Sequence, residues 1–132
     1  MLGSWNYPYS TSLGPVVSAI AAGNAVLLKP SEMAAHSALA MKNLFQRYLD
    51  QNAYQCVNGA VQVAIRTTSS PVDLIIYTGS TEKGRLVAAA AAKNLTPCIL
   101  ELGGKCPTVI DESADMNYTT SKVAAMAFLN SG

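Results

Sequence analysis

Short blocks of apolar residues alternate along this chain with longer segments of helical periodicity. The blocks that we interpret as strands cover residues 25–28, 54–57, 74–77, 99–102 and 108–110. They are mostly apolar instead of alternating with polar residues, as expected of strands covered on both faces. Helical patterns cover residues 12–22, 38–50, 60–68, 85–94 and 116–129. This order predicts an α/β fold, an open and mostly parallel sheet with helices on both faces.

The composition indicates part of a larger protein. Of the 132 residues, 50% are hydrophobic and only 13% are charged, whereas about 25% are charged in a typical soluble domain. A small free-standing domain has a large surface to solvate and normally carries more charge. The net charge is +1 and the nine basic residues are spread along the chain, which argues against a nucleic-acid partner.

The cysteines and the longest apolar stretch bear on the cellular location. Cys56, Cys98 and Cys106 form no CxxC pair, and three scattered cysteines suit a reducing compartment. The single histidine, His36, argues against a zinc site, so we expect no metal. Residues 14–28 are apolar but fall short of the roughly 20 residues that span a bilayer. We therefore expect a cytoplasmic protein, with a membrane anchor outside this chain left open.

The motif YTGSTEKGR, residues 77–85, lies between an apolar strand and an alanine-rich helix. Its glycines allow the backbone to approach a ligand closely, and Ser80 and Thr81 suit the start of a helix whose N–H groups attract an anion. It is no standard nucleotide-binding loop, because Arg85 stands where GxxxxGK[ST] requires lysine. Alone, the motif predicts either an ordinary capped turn or a phosphate-binding turn.

The motif LLKPSE, residues 27–32, also follows a strand and brings Lys29 and Glu32 onto one loop. A carboxylate at such a junction binds the ribose hydroxyls of dinucleotides, and a neighbouring lysine can join it. The alternative is that both side chains are simply solvated at the surface.

The motif SWNYP, residues 4–8, presents Asn6 between two aromatic residues and before Pro8. A side-chain amide in this position can donate a hydrogen bond to a developing oxyanion. The alternative is an asparagine that only shapes a turn.

The motif LELGGK, residues 100–105, ends an apolar strand with Glu101 and continues with two glycines. A buried carboxylate is costly unless it is paired, and the glycines permit a backbone path that leaves the carboxylate facing a cavity. Glu101 could then accept a proton from a thiol or a water.

These four motifs, in this order, resemble the aldehyde dehydrogenase superfamily, and most of all its class 3 group of fatty and aromatic aldehyde dehydrogenases. The resemblance covers residues 5–132. It implies a partial Rossmann-like NAD(P)-binding domain over residues 1–102 and the truncated start of a catalytic domain over residues 103–132. It also implies a reaction in which a cysteine thiolate attacks an aldehyde, hydride passes to NAD or NADP, and water hydrolyses the thioester to a carboxylic acid.

The resemblance further implies a role for each motif. Glu101 is similar to the general base, Asn6 to the oxyanion-hole amide, and the backbone of Leu102 to the neighbour of the nicotinamide. Lys29 and Glu32 are similar to the contacts of the adenosine ribose. The loop that resembles the diphosphate site contains Gly79, Ser80, Thr81, Glu82, Lys83 and Gly84, with Ser80 as the expected direct contact.

Departures from the family pattern limit what we expect of the chain itself. Ser4 stands where the family usually has proline, a change that we expect to be tolerated, and Ala60 replaces a common glycine. The family's nucleophilic cysteine lies a few residues beyond FLNSG, so we expect this chain alone to be inactive. For the full-length protein the resemblance implies an aldehyde substrate and a homodimer. The alternatives are a non-catalytic dinucleotide- or partner-binding module and an acylating or phosphate-using semialdehyde dehydrogenase.

Overall fold

The computed structural model describes residues 1–129. Over these residues the chain forms five α-helices, one short 3₁₀ helix and four strands. They follow one another as α1 (Pro8–Ala21), β1 (Val26–Leu28), the 3₁₀ helix (Glu32–Ala34), α2 (Ala35–Tyr48), β2 (Tyr54–Cys56), α3 (Val61–Ser69), β3 (Ile75–Gly79), α4 (Thr81–Ala92), β4 (Cys98–Leu102) and α5 (Met116–Phe128). The predicted alternation of strands and helices is confirmed.

The strands form parallel pairs that the first residues of the chain join together. β1 pairs with β2, and β3 pairs with β4. Leu2 bridges both Lys29, beside β1, and Tyr77, in β3. Backbone hydrogen bonds of 2.8 Å run from Leu2 N to Ile76 O and from Lys29 N to Met1 O. The sheet order is therefore β2, β1, residues 1–3, β3, β4, and the predicted open parallel sheet is confirmed.

Helices cover both faces of this sheet. Bridged residues in neighbouring strands project to the same face and successive residues alternate, so Leu2 and Tyr77 face one side and Leu28 faces the other. One core contains Val16, Val26, Leu28, Met41, Phe45 and Cys56, from α1, α2, β1 and β2. The other contains Leu2, Ile75, Tyr77, Val87 and Ala91, from residues 1–3, β3 and α4. Each face thus has its own apolar cluster.

The strand order reverses direction beside residues 1–3. From there the chain passes through α1 to β1 and through α2 to β2, then crosses to β3 on the opposite side of residues 1–3. In open α/β sheets a crevice opens at such a switch point, beyond the carboxyl ends of the strands. This rule places the switch point between residues 1–3 and β3.

Three local predictions were wrong or incomplete. The predicted strand at residues 108–110 is not formed, because the chain leaves the sheet after β4 and no strand lies beside it. The strand-like segment at residues 1–3 was not predicted. Helix α1 begins at Pro8 instead of residue 12, since proline at the first helical position has the backbone angle that a helix needs. None of the helices in residues 1–129 is long and apolar enough to cross a membrane.

Candidate functional site

All four sequence motifs lie at the carboxyl edge of the sheet. Asn6 follows residues 1–3, Lys29 follows β1, Ser80 follows β3, and Glu101 is the penultimate residue of β4. Because the strands are parallel, these exits open on the same edge. The fold therefore brings the predicted site residues to one side of the molecule.

Lys29 and Glu32 form an ion pair at the exit of β1. The Lys29 side chain is only 4% exposed, and its Nζ donates hydrogen bonds to Glu32 Oε2 at 2.6 Å and to Pro30 O at 3.0 Å. The Glu32 side chain is 48% exposed. The hydrogen bond from Lys29 holds the pKa of Glu32 below its usual value of 4.5. A buried lysine thus fixes an ionised carboxylate at the surface, so Lys29 is not the simply solvated side chain of the alternative interpretation.

Helix α4 begins at the exit of β3 with Ser80 as its N-cap. Ser80 Oγ accepts a hydrogen bond from Lys83 N at 3.3 Å, and Ser80 O accepts one from Gly84 N at 2.9 Å. Thr81 and Glu82 are the first two residues of the helix, so their N–H groups have no intrahelical acceptor. The helix has 12 residues, so its dipole adds to the attraction for an anion.

The glycines of this turn make room for protein side chains beneath it. A Cβ added at Gly79 would overlap Tyr77 Oη and lie 2.8 Å from Tyr77 Cζ, and one at Gly84 would lie 2.6 Å from Leu102 Cδ2. The sequence interpretation took these glycines to allow a ligand to approach, whereas the structure shows a packing requirement on their inner side. The outer surface of the turn remains exposed at residues 80–83.

Asn6 is held by a hydroxyl that sequence reasoning overlooked. Ser4 Oγ donates to Asn6 Oδ1 at 2.7 Å, and Ser4 N donates to Thr11 Oγ1 at 3.0 Å. Thr11 Oγ1 in turn donates to Tyr7 O at 2.9 Å. Ser4 is buried while Asn6 is exposed. The amide oxygen of Asn6 is therefore held by the Ser4 hydroxyl.

Glu101 and Leu102 project to opposite sides of β4. Leu102 pairs with Gly79 and packs into the core on the α4 side, and Glu101 pairs with Thr78. The Glu101 carboxylate is exposed, and the ion pairs formed within residues 1–129 do not include it. It is therefore accessible to a substrate or a water, as proton transfer requires.

The cysteines differ in their surroundings. Burial raises the pKa of Cys56 to about 11 and also raises the pKa of Cys98, so both thiols resist ionisation. Cys106 is exposed in the segment after β4. Neither Cys56 nor Cys98 is suited to act as a thiolate nucleophile.

The residues at this edge fit a dinucleotide by the chemistry of their donors and acceptors. The start of α4 offers backbone N–H groups to an anion such as a diphosphate. The Lys29–Glu32 pair offers both a donor and an acceptor, which ribose hydroxyls can match.

Comparisons with known proteins agree with this geometry. The family model described as the aldehyde dehydrogenase family matches residues 1–132. The chain is 46% identical over 132 residues to "Aldehyde dehydrogenase, dimeric NADP-preferring" of Rattus norvegicus, covering 100% of this chain and 29% of the rat protein. It is 46% identical over 123 residues to "Aldehyde dehydrogenase family 3 member H1" of Arabidopsis thaliana, covering 93% of this chain and 25% of the plant protein.

Solved structures show the same arrangement of the chain. The substrate-bound state of Staphylococcus aureus AldH matches with a TM-score of 0.94 and 34% identity, over 99% of this chain and 29% of that one. A variant of Pseudomonas syringae aldehyde dehydrogenase C in complex with NAD+ and octanal matches with a TM-score of 0.86 and 36% identity, over 98% and 27%. The chain thus spans less than a third of each of these relatives.

Proposed function

The chain belongs to the aldehyde dehydrogenase family, as its motifs predicted, and on that premise we propose that it is part of an enzyme that oxidises aldehydes to carboxylic acids. We propose that this part supplies the NAD(P) site, the oxyanion donor and the general base. The observation that carries the proposal is the convergence of Asn6, the Lys29–Glu32 pair and the start of α4 at the switch-point edge of the sheet.

The cofactor in this proposal is NAD or NADP. The N–H groups at the start of α4 bind the diphosphate, with Ser80 beside it, and Lys29 and Glu32 bind the adenosine ribose. When bound, NAD or NADP would supply the hydride acceptor for oxidation of the substrate carbon after the thiolate has attacked it. One relative is called NADP-preferring and another was solved with NAD+, so the proposal includes both.

Two side chains act on the reacting groups in this proposal. Asn6 Nδ2 donates a hydrogen bond to the aldehyde oxygen as that oxygen gains negative charge, and Ser4 orients the amide through Asn6 Oδ1. Glu101 accepts a proton from the water that hydrolyses the thioester. We propose that the nucleophile is a cysteine outside this chain, since burial raises the pKa of both Cys56 and Cys98.

A chimeric enzyme tests these roles. The matching segment of the rat relative is replaced by this chain, and aldehyde-dependent formation of reduced cofactor is measured. Asn6→Ala is expected to lower kcat by about 100- to 1,000-fold because one oxyanion donor is lost. Glu101→Gln is expected to lower it by about 100- to 10,000-fold because a general base is lost.

The matched controls are Asn43→Ala and Glu112→Gln, which alter exposed side chains outside the motifs and should leave kcat unchanged. Activity of Asn6→Ala or Glu101→Gln equal to that of its control would contradict the proposed role. A chimera that binds reduced cofactor but stays inactive with its native residues would favour the alternative, a non-catalytic dinucleotide-binding module.

We further propose that residues 1–102 belong to the NAD(P)-binding domain and residues 103–132 to the start of the catalytic domain, of which residues 130–132 lie outside the described residues. The departure of the chain from the sheet after β4 supports this boundary. We also propose a homodimer, by analogy with the relative that is called dimeric, in the cytoplasm. A chimera that sediments as a monomer would contradict the dimer.

A further inference from the structure

We propose that Tyr77 is a positioning residue that holds the turn at residues 79–84 in its diphosphate-binding shape. This inference rests on the proposed dinucleotide site and adds a side chain that acts from beneath the turn. Tyr77 lies in β3 on the face covered by α4, and only 8% of it is exposed. Tyr77 is therefore buried in the core, whereas residues 80–83 of the turn are exposed.

The Tyr77 hydroxyl is a second partner, beside Gly84 N, of the carbonyl at the start of the turn. Tyr77 Oη donates a hydrogen bond to Ser80 O at 3.2 Å. The Ser80 carbonyl and the Thr81 N–H belong to one planar trans peptide unit, in which C=O and N–H point in opposite directions. Ser80 O also accepts from Gly84 N at 2.9 Å, so the two hydrogen bonds together fix this peptide unit and direct the Thr81 N–H away from the carbonyl, where an anion at the start of α4 would lie.

The Tyr77 ring also explains why glycine stands at the start of the turn. A Cβ added at Gly79 would overlap Tyr77 Oη, whereas at Gly84 the close neighbour is Leu102 Cδ2 and the Tyr77 ring is in ordinary contact distance. The ring thus lies directly beneath the start of the turn. A turn that is already ordered loses less conformational freedom when a ligand binds, which improves affinity.

The experiment measures binding of ADP-ribose and of adenosine to the 132-residue chain by titration calorimetry, with the emission of Trp5, the single tryptophan, as a second signal. Adenosine lacks the diphosphate and serves as the internal reference. Tyr77→Phe keeps the ring and removes the hydroxyl. We expect it to raise the Kd of ADP-ribose about fivefold, equal to about 1 kcal/mol, and to leave the Kd of adenosine unchanged.

Thr96→Val is the matched control for loss of a buried hydroxyl. Thr96 Oγ1 donates to Val72 O at 3.0 Å from a site that is also 8% exposed, but it precedes β4 at the opposite, amino edge of the sheet. If the loss of any buried hydroxyl weakened binding through stability, Tyr77→Phe and Thr96→Val would weaken ADP-ribose binding equally. We expect Thr96→Val to bind ADP-ribose like the wild-type chain.

A second variant keeps the inference testable if Tyr77→Phe does not fold. Gly79→Ala displaces the phenol from the Ser80 carbonyl, so it should weaken ADP-ribose binding at least as much while adenosine binding persists. ADP-ribose binding that is unchanged in Tyr77→Phe would overturn the inference about Tyr77. So would an equal loss of adenosine binding, or an equal loss of ADP-ribose binding in Thr96→Val. None of these results would contradict the proposed cofactor site. A wild-type chain that binds neither ligand would overturn the proposed cofactor site itself.

Discussion

Two lysine–glutamate pairs lie at the carboxyl edge of the sheet, and they differ in burial. Lys29 Nζ lies 2.6 Å from Glu32 Oε2, with the lysine side chain almost fully buried. Lys83 Nζ lies 3.2 Å from Glu82 Oε1, with side chains that are 64% and 81% exposed. An exposed pair contributes little because water screens it and both chains lose freedom. The Lys29–Glu32 pair therefore fixes its carboxylate at the exit of β1, whereas the exposed Lys83–Glu82 pair contributes little at the exit of β3.

The two turns differ in the helix that follows each of them. Ser31 caps a 3₁₀ helix of three residues, and Ser80 caps an α-helix of 12 residues, each accepting a backbone hydrogen bond at 3.3 Å. At the exit of β3 the cap opens the α-helix itself, whereas at the exit of β1 the 3₁₀ helix stands between Ser31 and α2. This difference is consistent with the proposed binding of a diphosphate at the exit of β3 and of ribose hydroxyls by the ion pair at the exit of β1.

The largest expected effect concerns the packing beneath the β3 turn. Gly79→Ala should lower the free energy of unfolding by about 1–3 kcal/mol, because the added Cβ has no room beside Tyr77. Gly14→Ala is the control, since a Cβ at this position in α1 meets nothing within 4 Å. It should raise stability by about 0.4–1 kcal/mol. Equal stability of the two variants in urea unfolding would show that Tyr77 does not constrain the turn.

A smaller effect separates the two ion pairs. Glu32→Gln should lower the free energy of unfolding by about 1 kcal/mol, because the buried Lys29 ammonium loses a charged acceptor that is itself half exposed. Glu82→Gln should change it by no more than about 0.5 kcal/mol. Urea unfolding measures both variants. If Glu32→Gln and Glu82→Gln lowered the free energy of unfolding equally, burial would not distinguish the two ion pairs.

The smallest effect is the pH dependence of the β1 pair. The folded state lowers the pKa of Glu32 through its hydrogen bond with Lys29, so this contribution to stability is present above pH 4.5 and disappears as the pH falls through the folded pKa. The stability difference between the native chain and Glu32→Gln should therefore shrink below pH 4.5. Unfolding curves over this range measure it, and a difference that grows with acid would reverse the sign of the linkage.

Much of the architecture could be predicted from sequence because it depends on local patterns. Helices α2, α4 and α5 follow apolar periodicity, helix-forming residues or a capping side chain. The motif at residues 79–84 correctly placed Ser80 at the start of α4. Those signals lie within a few neighbouring residues, so they need no knowledge of the rest of the fold.

The missed features depend on contacts between distant segments. Residues 1–3 join the two strand pairs, but three residues carry no periodic pattern. Residues 108–110 have strand-forming side chains and still lack a neighbouring strand. The burial of Lys29 and the packing of Tyr77 under the turn follow from residues that come together only after folding. The apolar sequence of β3 gave no sign that its tyrosine would contact the Ser80 carbonyl.

The central claim is that the start of α4 and the Lys29–Glu32 pair bind one dinucleotide together. The most direct measurement is a titration of the isotope-labelled chain with NADP+ followed by amide NMR shifts. The account predicts that the largest shifts occur at residues 79–84 and 29–32, at the same ligand concentrations. Shifts confined to the amino edge of the sheet, or absent from α4, would contradict it.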